Sequence, residues 1–275
     1  MTERRKPPVV LVFAGTDPTG GAGVTADVLT LASLGCHPTV VVTAVTAQDT
    51  TGIKQFTVME TELIIAQARA VLEDMPVAAF KIGMVGSNAV ATAIASIVED
   101  YPDIPLVLDP VQISGQGDAL ADEALDETIR SLLIPQTTLI TPNSLEARRL
   151  AEGADNLDAC AQELMSLGCE YVLITGTHEN TPEVTHRFYG NMRLLERFDF
   201  ERLPGHYHGS GCTLASACAA TLAHGLDPLS AVSEALEYTW DTLKFGFRPG
   251  MGQSLPDRLY WAREEEEPPA EPHIH

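Results

Sequence analysis

Basic residues are scarce in this chain: 17 lysines and arginines stand against 38 aspartates and glutamates, a formal charge of -21 over 275 residues. A surface of that sign repels nucleic-acid backbones and anionic lipid heads, so neither nucleic acid nor a membrane is an expected partner. A phosphate-bearing ligand would have to be held locally, by backbone N–H groups, a metal ion and a few cations. Cysteine is sparse as well. The five (Cys36, Cys160, Cys169, Cys212, Cys218) are odd in number, scattered and without a CxxC pair, which argues against a zinc site and for reduced thiols. No apolar run reaches membrane length, and Met1 to Pro8 passes into a strand-like run too short and too soon broken for a signal peptide. A soluble, cytoplasmic protein is expected.

What is present is a large apolar fraction, 45%, enough for one full core, and an alternation of strand-like and helix-like segments running almost from end to end. Strand-like runs occur at Val9 to Ala14, Thr39 to Val45, Leu106 to Leu108, Thr138 to Ile140 and Tyr171 to Ile174; helical periodicity occupies Leu63 to Met75, Ala89 to Val98, Ala124 to Leu133 and Leu157 to Leu167. The pattern predicts an α/β fold with a central, mostly parallel sheet covered by helices on both sides. Val184 to Leu203 breaks the rhythm and reads as an antiparallel hairpin around Tyr189-Gly190-Asn191, forming a sheet edge. Two apolar helices follow, roughly Gly211 to His224 and Pro228 to Phe245. One domain over residues 1–263 is expected, and 264–275, with four consecutive glutamates and three prolines, reads as a disordered tail.

Five segments can carry chemistry. The first strand runs into Ala14-Gly15-Thr16-Asp17-Pro18-Thr19-Gly20-Gly21-Ala22-Gly23, either a tight turn or a close backbone approach to a ligand; without a following Gly-Lys-Ser/Thr it is no Walker loop. On the next helix Asp27 falls within about 60° of Val24, Leu31 and Leu34, so a carboxylate sits on the buried face, as a structural group or as a ligand-facing acid at the sheet mouth. Gln48 is read at the end of the second strand, at the carboxyl edge where open α/β sheets bind ligands, with a carboxamide that donates and accepts at once. Ile140-Thr141-Pro142-Asn143-Ser144-Leu145-Glu146 makes Asn143 an N-cap and Glu146 its capping-box mate; with Asp109 of Val107-Leu108-Asp109-Pro110 the same residues could organise a hydrated Mg²⁺. His208-Gly209-Ser210-Gly211-Cys212-Thr213 opens an apolar helix with successive N–H groups suited to an anion. Cys212 there is either a small core residue or a thiol whose pKa the helix N-terminus lowers, able to take a proton from an alcohol.

In order, AGTDPTGGAG with Asp27, TAVTAQD, Lys81-Ile82-Gly83-Met84, VLDPV, ITPN with Glu146 and HGSGCT closely resemble the bacterial hydroxymethylpyrimidine/phosphomethylpyrimidine kinases of thiamine biosynthesis, over roughly residues 8 to 225. The resemblance implies a ribokinase-like three-layer fold, ATP and Mg²⁺ as cofactors, and a homodimer. It implies Gln48 on the pyrimidine edge, with Asp27 and Met84 beside it and Gly15 and Val111 lining the pocket. Asn143 and Glu146 would serve ATP and Mg²⁺ with Asp109 in support, Gly209, Ser210, Gly211 and Cys212 would form the anion hole, and Cys212 would be the base. Three positions depart from the family pattern: Asp49 where asparagine is frequent, Thr175 at the place of a phosphate-contacting lysine, and Gly250-Met251-Gly252-Gln253-Ser254 in place of the family's glycine-rich ending. A pyridoxal kinase is the nearest alternative, and a non-catalytic pyrimidine sensor on the same fold is the alternative from another class.

Overall fold

A computed structural model describes residues 6–111 and 123–263. The expected tail, 264–275, lies outside the described residues. The chain runs β1 (Val9–Ala14), α1 (Gly23–Ser33), β2 (His37–Val42), β3 (Ala44–Asp49), β4 (Gly52–Val58), α2 (Thr61–Asp74), β5 (Val77–Ile82), α3 (Asn88–Glu99) and β6 (Leu106–Leu108). It continues through α4 (Glu123–Thr128), β7 (Leu139–Ile140), α5 (Ser144–Leu150), α6 (Leu157–Ser166), β8 (Tyr171–Ile174), β9 (Glu183–Gly190), β10 (Arg193–Glu201), α7 (Ser210–Ala223) and α8 (Pro228–Lys244).

Eight strands form one sheet in the order β10-β9-β8-β7-β6-β5-β1-β2, parallel from β2 through β8, with β9 and β10 antiparallel at the edge. Parallel strands buried on both faces need apolar residues at nearly every position, and β1, VVLVFA, shows it: Val10 to Phe13 have no exposure. Its alternate side chains feed two cores. Leu11 and Phe13 pack with α2, α3, α5 and α6, while Val10 and Val12 pack with α1, α7 and α8. The result is the expected helix–sheet–helix arrangement, with every β-to-α turn of the parallel part at one edge. The β9–β10 hairpin turns through Asn191 and Met192, whose φ values of 52° and 60° suit the tight turns that match strand twist.

Two expectations need correction. The second strand ends at Val42, not Val45, because Thr43 leaves the sheet: its hydroxyl donates to Met84 O at 2.5 Å and its carbonyl accepts from Met59 N. Gln48 therefore lies not at the end of β2 but on β3, which pairs with β4 in a separate two-stranded antiparallel sheet. The second correction is β5, absent from the expected strands. It lies at the centre of the sheet, and the lysine near its end, Lys81, is wholly buried.

Candidate functional site

The loop leaving β1 is organised by Asp17, whose carboxylate accepts from Thr19 N, Thr19 Oγ1 and Ala22 N, each at 2.8 Å. Burial works to raise its pKa, but the bonds from His208, Thr19 and Ala22 outweigh it and hold the group at about 2. The loop closes on α1 through Gly23, at φ +56°, where a Cβ would stand 2.2 Å from Gly15 O. From the far end of the chain Gly209 meets it. Gly209 caps α7 at φ +84°, and a Cβ there would stand 1.8 Å from Gly21 O, so the two glycine-rich segments touch backbone to backbone. The first helical bond of α7 runs from Thr213 N to Gly209 O, and among the described residues nothing accepts from the N–H groups of Ser210, Gly211 or Cys212. Those three donors stand at the positive end of a helix of 14 residues, at the place where HGSGCT is expected to receive an anion.

Behind it lies a cluster of buried charge. Lys81 Nζ is 2.9 Å from Asp27 Oδ1 and 3.8 Å from Asp109 Oδ2, and Ser216 Oγ donates to Asp27 Oδ1 at 2.7 Å. Burial opposes the charge on Lys81, yet Asp27, Cys212 and Asp109 together raise its pKa, so it stays a cation. Asp27 has no exposure. It is thus a structural ion-pair partner and not the ligand-facing acid at the sheet mouth; the expectation that a charge on this helix face needs a partner holds, and the partner is Lys81. Burial, first of all, raises the pKa of Asp109, against the pull of Lys81. Cys212 also differs from expectation. The residue is half-buried, and burial pushes its thiol up to about 12 against the opposing pull of Lys81. The helix N-terminus alone does not make it a thiolate at neutral pH.

On the open side the Gln48 amide lies 3.1 Å from Thr46 Oγ1 and 3.3 Å from His208 Nε2, and His208 Nε2 is 2.9 Å from Asp17 Oδ2. Thr46 is tied in turn to Thr16, next to Gly15. A Cβ on Gly15 would stand 3.0 Å from Met84 Sδ, so the glycine admits the thioether against the loop. The structure therefore brings Gly15, Gln48 and Met84 to one mouth, and Val111 follows Asp109 with its N–H on the Asp109 carbonyl at 2.8 Å.

Asn143 and Glu146 form the full capping box at the start of α5: Asn143 Oδ1 accepts from Leu145 N and Glu146 N, and Glu146 Oε2 accepts from Asn143 N at 2.8 Å. Thr175 bridges to Asn143, its carbonyl accepting from Ser144 N and its N–H bonding Pro142 O, so this position serves through its backbone. Among the described residues no three His, Cys, Asp or Glu side chains converge as metal ligands. Asp109 Oδ2 is nevertheless buried without a hydrogen-bond partner, with Lys81 facing it only at 3.8 Å, so it keeps acceptor capacity that suits the water shell of a hydrated Mg²⁺, which needs few protein ligands.

Sequence reasoning assigned no role to Lys81, His208 or Arg258. A lysine inside the apolar run VAAFKI was a usable signal for the first. Arg258 had none: it is buried and donates to Gly21 O at 2.5 Å, across 237 residues of chain.

Comparison with known proteins agrees with this geometry. The phosphomethylpyrimidine kinase family model matches residues 17–257. A hydroxymethylpyrimidine/phosphomethylpyrimidine kinase of Mycobacterium tuberculosis is 38% identical over 260 residues, covering 92% of this chain and 94% of that protein. One from Synechococcus elongatus is 36% identical, covering 92% and 98%. Among solved structures, the ADP complex of Bacillus subtilis pyridoxal kinase superposes with a TM-score of 0.86 at 26% identity, covering 94% of this chain and all of that one. A phosphomethylpyrimidine kinase from Clostridium difficile 630 gives 0.75 at 33% identity, covering 86% and 100%. Backbone likeness thus spans both kinase types, while residue identity favours the pyrimidine kinases.

Proposed function

The chain belongs to the phosphomethylpyrimidine kinase family, and from that premise we propose that it transfers the terminal phosphoryl group of ATP to 4-amino-5-hydroxymethyl-2-methylpyrimidine, to its monophosphate, or to both. The observation that supports the reading most is the meeting of the two glycine-rich segments: Gly209 lies against Gly21, the N–H groups of Ser210, Gly211 and Cys212 that follow it have no acceptor among the described residues, and the neighbouring His208 touches Gln48. Phosphoryl transfer through a loose transition state asks for positioning and charge stabilisation more than for covalent chemistry. Gln48 would pair with the donor and acceptor edge of the aminopyrimidine, and Gly15, Met84 and Val111 would hold its ring. For the hydroxymethylpyrimidine, the hydroxymethyl oxygen would attack the terminal phosphorus as its bond to the bridging oxygen breaks and ADP leaves, the hydroxyl proton passing to Cys212 in the minor thiolate fraction that grows as pH rises. For the monophosphate a phosphate oxygen would attack instead, and in both cases the N–H groups would hold the charge on the moving phosphoryl.

Asn143, Glu146 and the backbone at Thr175 would face the nucleotide. Asp109 and Glu146 would hold Mg²⁺ through its waters; when bound, the ion supplies charge neutralisation to the phosphates. Asp27 and Lys81 act beneath the site, not on the ligand. A cytoplasmic location is part of the proposal; among the described residues no helix is long and apolar enough to cross a membrane. The edge strand β10, with one side unpaired in the sheet order, offers a surface for a homodimer.

A turnover assay with ATP and Mg²⁺ across the hydroxymethylpyrimidine, its monophosphate and pyridoxal tests the reading. Faster phosphorylation of either pyrimidine supports it. A preference for pyridoxal would replace it with a pyridoxal kinase, and pyrimidine binding without turnover would make the chain a sensor.

A further inference from the structure

Arg258 is a buried cation that, among the described residues, no carboxylate pairs at contact distance. It is 3% exposed, and among the described residues no Asp or Glu oxygen lies within 4.0 Å of its guanidinium. All its bonds go to neutral acceptors: Nε to Thr213 Oγ1 at 3.0 Å, Nη1 to Gly20 O at 3.4 Å, and Nη2 to Gly21 O at 2.5 Å and Gly209 O at 3.4 Å. The fork therefore spans the contact between the loop after β1 and the first turn of α7. The residue is itself anchored, since Tyr238 of α8 donates to its carbonyl at 2.9 Å and the N–H of Asp257 bonds Thr242 O.

The geometry of a trans peptide gives these bonds a consequence. A carbonyl and the following N–H point in opposite directions. Gly209 O accepts from Thr213 N at 3.0 Å and Thr213 Oγ1 at 2.8 Å as well as from Arg258 at 3.4 Å. Arg258 Nε donates to that same Thr213 hydroxyl, so the guanidinium braces the group that turns the Ser210 N–H away, toward the proposed anion hole. Drawing in Gly21 O likewise aims the Ala22 N–H, which donates to Asp17 Oδ2, the same oxygen that meets His208. One guanidinium thus orients both sides of the site. The carboxylates of Asp27 and Asp17 act on this charge only from beyond contact distance. A buried charge without a contact partner is costly, and an anion seated on the N–H groups of α7 would add a counter-charge.

We infer that Arg258 is a positioning residue for phosphoryl transfer: its fork fixes the carbonyls of Gly20, Gly21 and Gly209 so that the N–H groups opening α7 stay aimed at the transferring phosphoryl, whose charge balances its own. This rests on the kinase reading above. The test uses full-length wild type, Arg258→Met, Arg258→Lys and Arg258→Ala, with kcat and KM measured separately for whichever pyrimidine the wild type turns over. Arg258→Met should lower kcat by about 10²-fold, the scale of losing one oxyanion-hole donor, with KM for the pyrimidine changed less than about threefold. Arg258→Lys, which keeps the charge but not the fork, should fall between, and added guanidinium ion should restore part of the Arg258→Ala rate. A fold anchor alone would lower the melting temperature and leave kcat and the rescue flat. If Arg258→Met fails to fold, Arg258→Lys and the guanidinium titration decide. Wild-type kcat in Arg258→Lys together with no rescue would overturn the inference. An inactive wild type would instead sink the kinase reading.

Discussion

Replacing Lys81 by methionine should be among the most damaging single changes in this protein, and the cost can be worked from its surroundings. The ammonium has no exposure and sits 2.9 Å from Asp27 and 3.8 Å from Asp109. Methionine fills similar volume, so packing is kept while two buried carboxylates lose their cation. Breaking a buried pair from one side costs about 3–5 kcal/mol, a large share of a typical domain's 5–15 kcal/mol. A second variant apportions that cost: Lys81→Met with Asp27→Asn removes one orphaned charge and should recover about 1–2 kcal/mol. The pH dependence has a definite sign. A carboxyl whose folded pKa is raised, as for Asp109, contributes stability below its unfolded pKa and loses it as pH rises through the folded value. Without Lys81 that rise is larger, so the deficit of Lys81→Met should be greatest near neutral pH and shrink toward about pH 5. Urea denaturation at both pH values measures it. A deficit under about 1 kcal/mol at neutral pH, or one that grows on acidification, would refute the reasoning.

Three further outcomes follow from the site. Gln48→Leu should leave the melting temperature unchanged and weaken pyrimidine binding by roughly 1–3 kcal/mol, read as KM; an unchanged KM removes Gln48 from the substrate. Cys212→Ala should lower kcat by about 10²–10⁴-fold, with Cys218→Ala, wholly in the core, as control. Because burial holds the Cys212 thiol up at about 12, wild-type kcat should climb through alkaline pH. Cys212→Asp should instead level off near neutral pH, and parallel profiles for the two would show that the thiol takes no proton. Asp17→Asn should cost about 2 kcal/mol at pH 7. The folded pKa of Asp17 is lowered to about 2, so the wild-type advantage is present above about pH 4 and lost as pH falls through 2; denaturation midpoints at pH 7 and pH 3 check it.

Most of the sheet was legible in the sequence because strands buried on both faces must be apolar throughout, and β1, β6 and β8 are. The helix start proposed as an anion hole was legible for a local reason too: glycines and a helix N-terminus fall within six residues, His208 to Thr213. What escaped depends on distance along the chain. Arg258 meets Gly21, and His208 meets Gln48, across 237 and 160 residues, and no periodicity encodes such pairs. Asp27 and Lys81 fall between these cases. Helix periodicity placed a carboxylate on the buried face of α1, which demands a cation. The same chain carries a lysine in VAAFKI, where a charge reads as the end of a strand, or as no strand at all. Each observation is anomalous alone, and each answers the other: a buried anion without a visible partner and a cation inside an apolar run are the two halves of one ion pair. Pairing them would have placed β5 next to α1's helix layer, as it is, and would have moved Asp27 from the ligand to the foundation beneath Cys212.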